Sequence, residues 1–333
     1  MAPLLRRLFS LALLLLAVAC AAPGPLLAQE PEGPTEGPTG EGPAEGMDEE
    51  AMQRLDAAYQ KAERAILDRD YEAAIGAYEE FFRLLAASSL PQDIKNNAEC
   101  GARYNLACAC ALTGKKEQAL TAFARAVELG FWDWEHIGKD SDLDSIRAEP
   151  AFLAAVEKGK EAEQKNAEEL VRKATEEATA ALAGEPLFPF DFNVTTIDGK
   201  QLKLADLKGK VVIVDVWGTW CPPCRAEIPH FKKLYEQYKD QGLEIVGLAC
   251  EQVAADEALA AVKAFAEQHK VPYPLATIEQ DDPVLQAIPD FDAFPTTLWI
   301  DRDGKVRLKR VGYHDYAPLE GLTKPLLAAK TKE

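Results

Sequence analysis

Cys221 and Cys224 stand two residues apart in the run VVIVDVWGTWCPPCRAE, which extends from Val211 to Glu227. Sulfur at this spacing offers two chemistries, thiol–disulfide exchange or metal ligation. Pro222 and Pro223 follow the first cysteine, and proline is tolerated at the first turn of a helix, where its missing N–H has no intrahelical acceptor to lose. Cys221 is therefore expected at a helix N-terminus, where unpaired backbone N–H groups and the positive end of the helix dipole favour thiolate over thiol. Cys224, one turn further, comes within disulfide reach, so a mixed disulfide formed at Cys221 can be resolved internally. Neither a glycine nor a basic residue separates the cysteines, which biases the pair toward a reducing poise. A zinc site wants four ligands, and the chain has no second Cys-x-x-Cys. Cys108 and Cys110 lie two apart on a helical stretch and point to different faces. His136, His230, His269 and His314 show no ligand spacing, and none has a claim to catalysis. Neither metal nor cofactor is expected.

The elements that must hold this pair come from the C-terminal half. Val211 to Val216 is apolar and β-branched apart from Asp215, the pattern of a strand covered on both faces. NVTTIDGKQLKL reads as a hairpin turning at Asp198-Gly199, Pro222 to Lys239 as a helix and Leu243 to Leu248 as a second buried strand. Asp256 to His269 reads as a helix, Thr297 to Ile300 as a strand, Asp301 to Gly304 as a turn, Val306 to Val311 as a strand and Pro318 to Ala329 as a final helix. Alternation of this kind, over 186–333, is that of an α/β domain with a mixed central sheet and flanking helices.

The remainder of the chain supplies an address and a second domain. With 333 residues, 47% of them hydrophobic, there is material for two cores, and a formal net charge of -18 argues against nucleic-acid binding. Arg6 and Arg7 precede LFSLALLLLAVACAA, an apolar run soon broken by Pro23, Gly24 and Pro25. This is the pattern of a signal peptide over 1–28, and the expected destination is the bacterial periplasm or cell envelope. Cleavage before Cys20, in a loose lipobox with Ala17 where leucine is usual, would leave a lipidated cysteine and a membrane anchor. Cleavage after Ala28 would discard it. The Arg-Arg-Leu-Phe run also resembles a twin-arginine signal. Residues 29–48, rich in Pro, Gly and Glu, read as a solvated linker.

From 49 to 156 the periodicity is helical. Ala58, Ala62 and Ala65 precede Asp70-Tyr71 and then Ala74, Ile75, Tyr78 and Phe81; Leu106, Ala107 and Cys110 precede Gly114 and then Ala119, Leu120, Phe123 and Ala126. Small residue, turn, small residue, aromatic is the order that closely packed helix pairs need, and it resembles tetratricopeptide repeats. Two departures stand: Ala74 and Ala119 are 45 apart against roughly 34 in the motif, and Ala58 and Arg103 occupy positions where a large aromatic is usual. DLDSIRAEPAFLAAV reads as a partial third unit. Residues 157–185 form a charged connecting helix with an apolar stripe from Ala167 to Leu182, either a rigid spacer or, as the stripe favours, a cap on the repeats.

Between Phe188 and Val311, the runs DLKGKVVIVDVWGTWCPPCRAEIP and FPTTLWIDRDGKV resemble the TlpA/ResA-like group of exported thioredoxin-fold proteins. The resemblance implies that Cys221 attacks and the buried Cys224 resolves. It implies that Pro295 is cis and that its loop receives substrate backbone, with Trp220, Pro222, Phe294 and Thr296 around it. Asp215 falls on the buried acid of thioredoxins, where many of this group carry Asn; a carboxyl in so apolar a strand should have a raised pKa and exchange protons with Cys224. Glu227 matches an acid that some members place beneath the site, or is an ordinary solvated helical glutamate. Phe294 is bulkier than the residue usual before that proline and would narrow the substrate surface. Trp217 reads as packing, and Trp220 as a shield for the sulfur. Cys100, Cys108, Cys110 and Cys250 read as small buried hydrophobes.

Together these features point to an exported oxidoreductase that reduces disulfides in protein substrates. The helical repeats would recruit a peptide or protein partner, and an outside donor would supply electrons. The competing reading is a repeat scaffold whose redox pair is regulatory or vestigial. Peroxidase chemistry needs a Pro and a Thr before the nucleophile, and Thr219 has no proline upstream in its loop.

Overall fold

The computed structural model describes residues 49–330; the expected signal peptide, Cys20 and the expected linker of 29–48 lie outside the described residues. The chain forms two compact units that meet in sequence between Gln164 and Lys165.

In the first unit, helices α1 (Glu49–Leu67), α2 (Tyr71–Ala87), α3 (Gln92–Leu112) and α4 (Lys116–Glu128) are followed by the short α5 (Trp134–Lys139) and a 3-10 turn at Ser141–Leu143. Neighbouring helices pack in pairs, α1 with α2 and α3 with α4. The small residues of the repeat pattern sit where backbones approach: Ala62, Ala74, Ala107, Ala119 and Ala126 have no exposed surface, and neither do Tyr78 and Phe123. Asp70 stops one helix and starts the next, accepting a hydrogen bond from Ala73 N at 3.1 Å, a side-chain cap on an otherwise orphaned donor.

The expected connecting helix begins earlier than its sequence suggested, α6 running from Pro150 to Ala183. From Lys165 onward it belongs to the second unit. There its apolar stripe packs into the α/β core, which Ala174 and Ala178 join. Gly321 of the last helix approaches so closely that a Cβ would lie 2.7 Å from both Ala174 Cβ and the Val171 carbonyl oxygen. Among the described residues no helix is long and apolar enough to cross a membrane.

The second unit is the expected α/β domain. Its hairpin pairs β1 (Asn193–Thr195) with β2 (Gln201–Lys203). The main sheet has the order β5 (Leu275–Ile278), β4 (Leu243–Cys250), β3 (Val211–Trp217), β6 (Thr296–Ile300), β7 (Val306–Val311). β3, β4 and β5 are parallel, while β6 and β7 run antiparallel, so the sheet is mixed. Every residue of β3 and β4 is buried, as continuous apolar runs require when both faces are covered. The other elements are α7 (Pro222–Tyr238), α8 (Ala255–His269), the one-turn α9 (Pro283–Gln286) and α10 (Tyr316–Ala328). The short edge strand β5 was not anticipated.

Side chains alternate across a strand, and this decides what faces the cysteines. Val211, Ile213 and Trp217 share a core layer with Cys221, Cys224, Ile228 and Phe231, whereas Val212, Val214 and Val216 pack in the layer beyond the sheet. Asp215 is on the odd-numbered side, under α7.

Candidate active site

Cys221 is the N-cap of α7, with its sulfur accepting from Cys224 N at 3.3 Å. The two cysteines are joined as a disulfide with Cα atoms 5.3 Å apart, and both are buried, at 3% and 1% exposure. Pro222 is exposed beside them.

Two loops frame the disulfide. The first, Gly218 to Trp220, joins β3 to α7. Thr219 donates from its backbone N–H to Glu251 Oε1 at 2.8 Å and from its hydroxyl to Glu251 Oε2 at 2.7 Å. That carboxylate, just past the end of β4, pins the loop that carries Cys221. Trp220 remains 40% exposed, and its indole N–H donates to the Cys250 carbonyl at 3.0 Å. A side chain on Gly218 would collide with this indole, its Cβ 2.5 Å from Nε1. The second loop holds the cis Phe294–Pro295 bond. Phe294 stands edge-on to Trp220 with ring centroids 5.3 Å apart, and edge-on to Phe291 at 5.2 Å. Thr296, expected at the substrate surface, is fully buried, and its hydroxyl donates to the Ala293 carbonyl at 2.7 Å. Its side chain fastens the loop and presents nothing outward. Trp217 is fully buried against Phe265 at 5.0 Å.

Behind the disulfide lies a layer of buried polar groups. Asp215, 1% exposed, has Thr297 opposite it on β6 and Gly247 opposite it on β4. Burial pushes its carboxyl well above the usual range, and the nearby Glu227 adds to the effect. Glu227 is 1% exposed, not solvated, so the deeper of its two placements is the one observed. Its Oε1 accepts from the backbone N–H of His314 at 3.1 Å, and His314 Nδ1 stands 3.5 Å from the same oxygen. Burial raises the Glu227 pKa and the contacts with His314 oppose that rise. The Tyr273 phenol is pushed far up by burial, then by Asp215 and Glu227.

Glu251, Tyr273, Thr297 and His314 were not singled out from sequence. Tyr273 and Thr297 gain their place only through strand register. In the sequence His314 offers neither ligand spacing nor a claim to catalysis, and its position after Gly312 at the end of β7 gave no sign that it would reach α7. Cys250 is buried in the layer beyond the sheet, away from the disulfide. Cys108 lies within 3.6 Å of Asp140 Oδ2 and burial raises its pKa. Among the described residues no group of three or more His, Cys, Asp or Glu side chains could hold a metal ion.

Residues 187–309 match the AhpC/TSA family. Over 131 residues the chain is 40% identical to the thiol-disulfide oxidoreductase ResA of Bacillus cereus, a match covering 39% of this chain and 72% of that protein. Over 136 residues it is 39% identical to ResA of Bacillus anthracis, covering 41% and 75%. Among solved structures, a thiol:disulfide interchange protein of the thioredoxin family from Chlorobium tepidum TLS is 30% identical, with a TM-score of 0.39 over 44% of this chain and 99% of that one. A redox disulfide at a helix N-terminus, a cis-proline loop beside it and this extent of identity together place the chain in the ResA family of thiol-disulfide oxidoreductases, with a thioredoxin-fold domain preceded by a helical one.

Proposed function

We propose that this oxidoreductase acts as a reductase of disulfides in exported proteins. The reduced enzyme attacks with Cys221, whose thiolate is favoured by the helix N-terminus. The substrate S–S bond breaks, one sulfur joining Cys221 and the other leaving as thiolate. Cys224 then gives up its proton, attacks Cys221 and releases the second substrate sulfur, so two electrons pass to the substrate. The enzyme is left in the disulfide form described above, and a donor outside the chain must return two electrons.

The observation that carries this reading is Asp215, buried on the sheet face that Cys224 shares. A carboxyl kept largely protonated in the resting state releases its proton once and can then take the one that Cys224 sheds. Pro295, Phe294, Trp220 and Pro222 form the surface proposed to receive substrate. The Trp220–Phe294 contact leaves a narrow approach, suited to an extended strand of an unfolded or flexible partner. The hydroxyl of Thr219, the nearest match to a peroxidase threonine, is committed to Glu251, which speaks against peroxide as the substrate. The helical unit is read as the recruiting surface for a peptide or protein partner. The signal sequence is read as export to the periplasm or cell envelope, with anchoring if Cys20 is lipidated.

Insulin reduction and the redox potential of the pair, measured with Cys221→Ser as control, test the assignment. Turnover by wild type with none by the variant is expected, and an inert wild type would overturn the reductase reading. Cys224→Ser should freeze the mixed disulfide and so capture the natural substrate.

A further inference from the structure

Six buried side-chain atoms around the back of the disulfide have no protein hydrogen-bond partner: Asp215 Oδ1, Trp217 Nε1, Thr297 Oγ1, Tyr273 Oη, Glu227 Oε2 and His314 Nδ1. One such atom is a local accident, but six drawn from five segments of the chain form a site. Buried polar groups of this kind are commonly completed by ordered water, which needs two to four polar partners.

The fold lays these atoms out in order. Asp215 and Thr297 are cross-strand neighbours on β3 and β6. On the other side of Asp215 is Gly247, whose N–H donates to the Pro274 carbonyl at 2.9 Å, which brings the adjacent Tyr273 into the same layer. The Tyr273 ring lies edge-on to Tyr235 of α7, 5.9 Å away, and its phenol feels both carboxyls. Glu227 descends from α7, and His314 reaches it from the loop after β7. Exposure then sets a direction. Asp215 and Glu227 are 1% exposed, Tyr273 is 5% and Thr297 is 0%, whereas the His314 side chain retains 18%. The charged and titratable groups that act on Glu227 come from every side: Asp215 from β3, Tyr273 from the approach to β5, and Tyr313, His314 and Asp315 from the loop after β7. Among them His314 alone can become a cation.

We propose that His314 is the outer proton-transfer group of this site, carrying to solvent the proton that Asp215 sheds so that it can take the one from Cys224, by way of a hydrated row lined by Thr297, Tyr273 and Glu227. The inference rests on the reductase reading above and assigns a route to its second step. When Cys224 attacks, the mixed disulfide's S–S bond breaks and the Cys221–Cys224 bond forms. The proton of Cys224 moves to the Asp215 carboxylate, and the departing substrate thiolate is protonated from solvent. That carboxylate arises because Asp215, protonated at rest, first passes its own proton along the row to Glu227 and thence to the His314 imidazole, which sheds it to solvent; taking the Cys224 proton then restores Asp215 to its starting state. No oxidant or reductant beyond the substrate disulfide enters this step.

The test uses the reduced full-length protein and glutathione disulfide, with acid quenching and intact-mass detection. Formation of the glutathione adduct on Cys221 reports the first attack, and its decay to the internal disulfide reports resolution. His314→Ala retains the backbone N–H that holds Glu227 and loses only the imidazole. Adduct formation at the wild-type rate is expected, with resolution near neutral pH slowed at least about tenfold, as for loss of a proton-transfer group. Added imidazole should restore the rate, and Tyr273→Phe should slow resolution in the same direction. Wild-type resolution in His314→Ala would overturn the proposal, as would a slowed step that imidazole fails to raise. A wild type that forms neither the adduct nor the internal disulfide would instead remove the reductase reading on which the proposal stands.

Discussion

Replacing Asp215 with Asn should stabilise the second unit by an amount that grows with pH. Asp215 is buried at 1% exposure, and its carboxyl is held well above the ordinary 3.8, by burial first and by Glu227 second. Its folded pKa therefore exceeds its unfolded one. Above the unfolded value the native state still binds a proton that the unfolded chain has released. Stability is accordingly full below the unfolded pKa and declines as pH rises, until the pH passes the folded pKa. The slope for one proton is about 1.4 kcal/mol per pH unit. That slope holds for as long as the fold keeps protonated a carboxyl that the unfolded chain has ionised. An Asn at the same place has no proton to release and removes that slope. With a urea m-value of roughly 1–3 kcal/mol/M, the midpoint difference between variant and wild type should widen by about 0.5–1.4 M per pH unit over that range. The two units of the chain can unfold separately, so the probe must belong to the second one. Cys250, 1% exposed on β4, serves if the oxidised protein is pulse-alkylated across a urea series and the Cys250 peptide is followed by mass. Midpoints that run parallel with pH in variant and wild type would refute the reasoning, since the carboxyl would then be ionised in the fold at no cost.

Three further outcomes are expected. Asp215→Asn should also slow resolution of the mixed disulfide near neutral pH with the fold intact; unchanged exchange kinetics would remove the acid from the mechanism. Glu251→Ala deletes the acceptor of two hydrogen bonds to the half-buried Thr219, each worth up to about 1.5–3 kcal/mol when the acceptor is charged. Amide exchange at Thr219 and Cys221 should accelerate, with Glu251→Gln largely preserving protection, and an unaltered exchange pattern in the Ala variant would exclude the clamp. Cys250→Ala should leave insulin reduction at the wild-type level, and a clear loss would show that this thiol takes part in exchange.

What the sequence made legible follows physical range. β3 and β4 could be read because a strand covered on both faces must be apolar along its length, and Cys221 could be placed because two prolines after a cysteine fit little except a helix start. These are signals carried within a dozen residues. The edge strand β5 escaped because Leu275 to Ile278 is four residues long, too short for periodicity to register. The apolar stripe of α6 was legible but its partner was not: a stripe shows that something covers it, and only the fold shows that Gly321 leaves room for the cover. The site divides along the same line. Cys221, Cys224 and Asp215 lie within ten residues of one another, whereas Tyr273, Thr297 and His314 join them from segments separated by strands and helices. Glu251 reaches Thr219 across 32 positions. Thr296 went astray for a related reason, since neighbouring the cis-proline in sequence says nothing of which way its hydroxyl turns.

The two Asp215→Asn outcomes gain their force in combination. A valine at this place in β3 would suit its neighbours Val214 and Val216 and carry no desolvation cost, so the acid must be explained by something other than packing. One alternative is that the layer tolerates it passively: Gly247 and Thr297 on either side are small, and Gly247 is already required there by Trp217, whose Nε1 would lie 2.9 Å from a Cβ at 247. On that account Asn should raise stability and leave resolution untouched. If instead the acid is retained as the inner end of a proton route, the same substitution must raise stability and slow resolution together, and the slowing should resemble that of His314→Ala at the outer end. Because both ends serve one transfer, the double variant should then be hardly slower than either single one. Rates that multiplied in the double variant would mean that the two groups act on separate steps, and that the buried polar layer between them is not a conduit.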